Sequence, residues 1–178
     1  MPILLPVRRR ALLAALLLAG CGLVVPLTAT AAAPVPCTGA MLAGSFKAIP
    51  GSEGAGNIVY RLRLQNTSAA TCFVTGVPGF QLLGKNGKKL PTKGLFSGKP
   101  GTLTAIVVPL KHGATATLTA RFSPDIPGPG EPVQGACEKT AYKLRVTPTA
   151  GGTVTVPISP PTPVCEHGTL QVTVLTGG

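Results

Sequence analysis

Few residues in this chain could do chemistry. The side chains suited to acid, base or metal work are two histidines, His112 and His167, one aspartate, Asp125, and four glutamates, Glu53, Glu131, Glu138 and Glu166. A Ser-His-Asp triad would have to combine one of those histidines with Asp125. The Gly-x-Ser-x-Gly elbow that exposes a nucleophilic serine is absent, and Asp125 lies in the Pro/Gly-rich stretch Ser123 to Gly135, expected to be a loop. Cys165-Glu166-His167 has the Cys-x-His order of copper sites on β-sheets, but such sites also take a second histidine and usually a methionine. Gly54-Ala55-Gly56 precedes no helical pattern and reads as a turn, not a phosphate cradle. The expectation is therefore a protein that is not an enzyme, with no catalytic residues, no metal ligands and no cofactor. The rival is a metal-binding or hydrolytic enzyme using His112 or His167.

The cysteines point to covalent structure instead. Cys21 sits in an apolar N-terminal run, which leaves Cys37, Cys72, Cys137 and Cys165, an even number in a chain that carries an export leader. No Cys-x-x-Cys spacing suggests a redox or metal thiol. The midpoint between Cys37 and Cys72 falls in Gly54-Ala55-Gly56, and that between Cys137 and Cys165 falls on Gly151 of the Gly151-Gly152 pair. If each midpoint is a hairpin bend, each pair closes the open end of its own hairpin. The predicted bridges are thus Cys37 with Cys72 and Cys137 with Cys165, each stabilising by about 3 to 4 kcal/mol if unstrained.

The leader reads as residues 1–33. Arg8, Arg9 and Arg10 form its positive region, Ala11 to Val25 is apolar but short for a membrane span, and Ala29-Thr30-Ala31 has the small-x-small form of a signal peptidase site. Within it, Leu18-Ala19-Gly20-Cys21 has the form of a lipobox, making Cys21 a candidate for lipidation. The expected product is secreted and extracellular; the alternative is a protein lipid-anchored to the outer face of the cell membrane, with Cys21 as its only membrane attachment.

Charge is the remaining feature. Residues Pro34 to Gly178, 145 in number, are the size of one domain, and taking the three leader arginines from the formal net charge of +11 leaves +8. Lys85, Lys88, Lys89, Lys93 and Lys99 fall within fifteen residues that contain no acid. The plain reading is a solvated surface that blunts an edge strand. The functional reading is a surface that holds the protein near anionic envelope polymers or lipid headgroups. An unknown envelope protein is the other expected partner, since the lack of tryptophan turns the expectation away from glycans. Nucleic acid is not expected, because export separates the chain from the genome and few aromatics are available for stacking.

The elements that must position these residues alternate with period two. Ile58, Tyr60, Leu62 and Leu64 alternate with Val59, Arg61, Arg63 and Gln65, and Ala116, Leu118, Ala120 and Phe122 alternate with threonines and Arg121. Further strands are predicted over Met41 to Ile49, Gly79 to Gly84, Lys88 to Leu90, Leu103 to Pro109, Ala141 to Val146, Thr153 to Ile158 and Thr169 to Leu175. Asn86-Gly87 is a hairpin signal, and Leu103 to Pro109, apolar on both sides, reads as a central strand. With 19 prolines and 23 glycines between them and no 3.6-residue period, the fold class is all-β: an immunoglobulin-like antiparallel β-sandwich of about 8–9 strands with two disulfides, one domain over 34–178.

The order Cys37, Gly54-Ala55-Gly56-Asn57, Leu64-Gln65-Asn66-Thr67, Thr71-Cys72, Gly76-Val77-Pro78-Gly79, Val108-Pro109-Leu110 to Gly113, then Cys137 and Cys165, resembles the actinobacterial exported family called domain of unknown function 4232. The resemblance covers nearly the whole chain after the leader. It implies a secreted or lipid-anchored β-sandwich and no known activity.

Overall fold

Alternating apolar residues need two surfaces between which to bury one face, and the chain supplies them as two sheets. The computed structural model describes residues 33–98 and 106–178. The strands are β1 (Val35–Pro36), β2 (Leu42–Ala48), β3 (Ile58–Asn66), β4 (Cys72–Thr75), β5 (Gly79–Leu83), β6 (Lys93–Phe96), β7 (Val107–Leu110), β8 (Thr115–Phe122), β9 (Ala141–Thr147), β10 (Val154–Thr162), β11 (Thr169–Val172) and β12 (Thr176–Gly177). One sheet has the order β1-β4-β7; the larger runs β5-β9-β10-β2-β3-β8-β11-β6, with β12 added against β8. The result is nearly all-β, in a sandwich-like or barrel-like arrangement, with both predicted disulfides present.

Two features differ from the expectation. Among the described residues the strands number twelve instead of eight or nine, because two-residue pairings such as β1 and β12 are too short to show a period. The sheets are mixed instead of wholly antiparallel: β1 with β4, β10 with β2 and β11 with β6 run parallel. The chain leaves one neighbour and returns beside a distant one, which alternation within a strand cannot reveal.

The inner faces are where the period placed them. Tyr60, Leu62 and Leu64 of β3 and Ala116, Leu118, Ala120 and Phe122 of β8 are all buried. The two strands run antiparallel with Leu62 opposite Leu118. Phe46, Tyr60 and Phe122 stack in a row at centroid distances of 5.0 and 5.1 Å, a spacing that favours tilted rings. Tyr60 is the one polar member, and its hydroxyl donates to the Pro160 carbonyl at 2.7 Å.

Both hairpin bends lie where the cysteine midpoints predict. β2 and β3 pair from Leu42 opposite Asn66 to Ala48 opposite Tyr60, and the turn beyond closes through Gly54 and Asn57. Ala55 and Gly56 there take φ of 47° and 70°. β9 and β10 pair with Val146 opposite Val154, and Gly151 and Gly152 have φ of 85° and 68°. Each disulfide lies just past the open end of its hairpin.

Other strand expectations need correction. β7 is an edge of the three-stranded sheet, not a central strand: Val107 and Pro109 face solvent, Val108 and Leu110 face inward, and Pro109 has no N–H to give a further neighbour. Residues 103–105 lie outside the described residues. The strand predicted to run to Leu175 ends at Val172, and Leu175 beyond it is buried outside the strand. Lys88 to Leu90 forms only a bridge, Leu83 with Lys89, before the chain departs to β6.

Candidate functional site

The lysine-rich turn is built from β5 outward. Gly87, at φ 78°, closes the Gly84-to-Lys88 bend, with the Gly87 N–H donating to Gly84 O at 2.9 Å and the Gly84 N–H to Lys88 O at 2.8 Å. Asn86 Oδ1 accepts from the Lys88 N–H at 3.1 Å, fixing the tip. Beyond it, Gln81 holds the returning chain by donating to the Leu90 carbonyl at 2.7 Å and to Thr92 Oγ1 at 3.0 Å.

β5 pairs antiparallel with β9, Leu83 opposite Lys143. Continuing that register brings Lys139 to Tyr142 alongside the turn. Together they enclose a cleft of about 460 Å³, lined among others by Lys85, Lys88, Leu90, Lys139 and Tyr142. Lys85, Lys88 and Lys139 are exposed, so their ammonium groups stay in water while the stems and the Tyr142 ring form the wall. Among the described residues the contact of His167 with Glu131 becomes an ion pair only when the imidazole is protonated, and these three lysines have no acidic partner.

Of the five lysines singled out in the sequence, the structure brings Lys85 and Lys88 together. Lys89 lies on the bridge to Leu83 and Lys93 opens β6, away from the cleft lining, while Lys99 lies outside the described residues. Lys139 and Tyr142 were missed, since only strand pairing places them here. A second cationic surface lies on the outer face of the large sheet, where Lys47 stands directly opposite Arg61 across β2 and β3, and Arg63 follows. Like charges directly opposite are unfavourable unless an anion sits between them.

The histidines lie in turns. His112, between β7 and β8, has Nδ1 2.9 Å from the Ser68 carbonyl. His167 belongs to a left-handed turn in which Glu166, His167 and Gly168 have φ of 57°, 56° and 75°. Gly168 is required there, because a Cβ would meet the Pro91 carbonyl oxygen at 1.9 Å. The turn is pinned by Glu131, a buried carboxylate that accepts the N–H groups of Gly128 at 2.7 Å, Glu166 at 2.8 Å and His167. Successive N–H groups aimed at one point make an anion-binding concavity. Burial pushes the Glu131 carboxyl up, but these hydrogen bonds and the neighbouring His167 outweigh it and hold it below the usual range. Ser123 is occupied in its own turn, its Oγ accepting the Ile126 N–H at 2.8 Å.

A family model described as Domain of unknown function (DUF4232) matches residues 37–176. The chain belongs to that family. No curated protein and no solved structure matches it. In this DUF4232 domain Cys37–Cys72 ties the residue after β1 to the start of β4, and Cys137–Cys165 fastens the left-handed turn beside the segment that carries Lys139. Cys21 lies outside the described residues.

Proposed function

We propose that this protein is an exported, non-enzymatic binding module of the cell envelope whose partner is an anionic envelope polymer, held in the cleft of Lys85, Lys88, Lys139 and Tyr142. The observation that carries the reading is the convergence of three lysines from two distant segments on one cleft with no acidic partner in it. Cations gathered this way, with an aromatic wall and an apolar floor at Leu90, suit a chain of phosphate or carboxylate groups better than a neutral ligand. The cationic face at Lys47, Arg61 and Arg63 supports the same partner chemistry.

Export is part of the proposal. Two disulfides suit an oxidising compartment outside the cytoplasm, and no helix among the described residues is long and apolar enough to cross a membrane. The leader over residues 1–33 carries the rest, with either signal peptidase cleavage or lipidation at Cys21. Cys21→Ala separates the two, since it releases a lipoprotein from the membrane fraction and leaves a cleaved secreted protein unchanged.

Retention on isolated envelopes tests the reading. Replacing Lys85, Lys88 and Lys139 with glutamine is expected to release the protein at moderate salt; equal retention of both forms would remove the cleft from the account. Loss of a measurable hydrolytic activity on changing His112 and His167 to alanine would favour the rival enzyme.

A further inference from the structure

Glu131, Glu138 and His167 form a second cluster, and none of the three lines the lysine cleft. Glu131 has about four lone-pair positions on its two oxygens. Oε2 accepts two backbone N–H groups, from Gly128 and Glu166, and Oε1 accepts one, from His167. One position therefore remains, and it belongs to Oε1. That oxygen lies 3.6 Å from His167 Nδ1.

The other ring nitrogen decides what Nδ1 presents. His167 Nε2 is 2.9 Å from the Pro129 carbonyl oxygen. A carbonyl only accepts, so Nε2 carries the hydrogen, and Nδ1 of the neutral ring offers a lone pair towards the open position on Oε1. Two lone pairs in that relation call for a cation between them. A proton would serve this pair alone. The structure adds a second carboxylate, since ligand atoms of Glu131, Glu138 and His167 all lie within 4.8 Å of one another.

We infer that these residues form a binding site for a divalent cation of the zinc class, held by His167 Nδ1, Glu131 Oε1 and the Glu138 carboxylate. Bonds of about 2.0 to 2.2 Å place neighbouring ligands of a tetrahedral ion about 3.3 to 3.5 Å apart, close to the separation of Nδ1 from Oε1. Two carboxylates and a neutral imidazole match the charge of a dication, and mixed nitrogen and oxygen ligands suit zinc better than magnesium or calcium. The supporting shell is already in place: the histidine donates its far N–H to a carbonyl, and the buried carboxylate is held by backbone N–H groups. The Cys137 and Cys165 sulfurs, though near Glu131, are joined to each other and are not thiolate ligands. His167 is 58% exposed, which leaves the ion an open side towards solvent. The inference stands apart from the lysine cleft and needs no anionic partner.

Calorimetric titration of the purified, oxidised protein with Zn²⁺, alongside the visible absorption of added Co²⁺, tests the site. One equivalent of metal is expected to bind, with a cobalt spectrum of low coordination number. His167→Ala and Glu138→Gln, both outside the core, are each expected to weaken binding by about tenfold or more, while Lys85→Gln leaves it unchanged. Absence of binding by the unaltered protein overturns the inference, as does binding that both substitutions leave intact. Far-ultraviolet circular dichroism of the two variants verifies that lost binding is not lost folding.

Discussion

The side-chain amide of Asn66 donates to the carbonyl oxygen of Leu110 at 2.9 Å, joining the end of β3 in the large sheet to the end of β7 in the small one. Asn66 is fully buried, and its polar group is used on both sides. Nδ2 also donates to Ala70 O at 2.8 Å, while Oδ1 accepts the N–H and hydroxyl of Ser68 at 2.9 and 2.7 Å. Asn66→Leu would strip the buried Leu110 carbonyl of this donor and leave the half-buried Ser68 N–H without its acceptor, while the carbonyl of the exposed Ala70 keeps the Ser68 hydroxyl. The expected cost is about 1 to 3 kcal/mol, the penalty of one buried carbonyl left unpaired. Urea unfolding measures it, and a loss below about 1 kcal/mol would mean that the corner is held by other contacts.

The two clasps are expected to contribute comparably. Their sequence separations are 35 and 28, for which loop-closure entropy gives about 3.5 to 4 kcal/mol each. Peptide mapping under non-reducing conditions should recover Cys37 with Cys72 and Cys137 with Cys165 and no crossed pair. Replacing either pair with alanine should lower the unfolding midpoint, and a crossed peptide would overturn the topology.

Glu131 gives a signed pH dependence. Its carboxyl is held below the usual value of 4.5 in the folded state, so the unfolded chain takes up the proton first as pH falls. Its contribution is complete above about pH 4.5 and is lost as pH drops through the folded value. Glu131→Gln should therefore destabilise the protein at neutral pH and lose that penalty in acid. Urea unfolding between about pH 7 and pH 3, with chelator present, checks the convergence.

Tyr60 behaves in the opposite direction. Burial, with a smaller effect from Glu53, raises its hydroxyl from 10.0 to about 12. The stability linked to this group is complete below pH 10 and is lost as pH rises through about 12. In Tyr142→Phe the remaining tyrosinate absorbance belongs to Tyr60 and is expected to rise only near pH 12. Tyr60→Phe, which strips the Pro160 carbonyl of its donor, should cost about 1 kcal/mol.

The parts legible in the sequence are those whose signal is local. The alternation of β3 and β8 fixed which side chains are buried, and the glycines midway between cysteines marked both bends, since a hairpin is symmetric about its turn. The β7 edge was misread because Val107-Val108-Pro109-Leu110 is apolar throughout, and only the missing N–H of Pro109 favoured an edge. Lys139 and Tyr142 were hidden for another reason: their place beside Lys85 follows from the register Leu83 opposite Lys143, which no spacing along the chain encodes. Glu131 likewise stands in a Pro/Gly-rich stretch with no sign of burial, because its partners are backbone N–H groups.

The most direct test of the proposed function is the affinity of the purified protein for a soluble poly(glycerol phosphate) as a function of salt. If Lys85, Lys88 and Lys139 each neutralise one phosphate, affinity should fall about 20- to 40-fold between about 50 and 200 mM salt, and changing all three to glutamine should weaken the binding and make its salt dependence shallower by about three phosphate contacts. Affinity independent of salt, or unchanged by the three substitutions, would contradict the account.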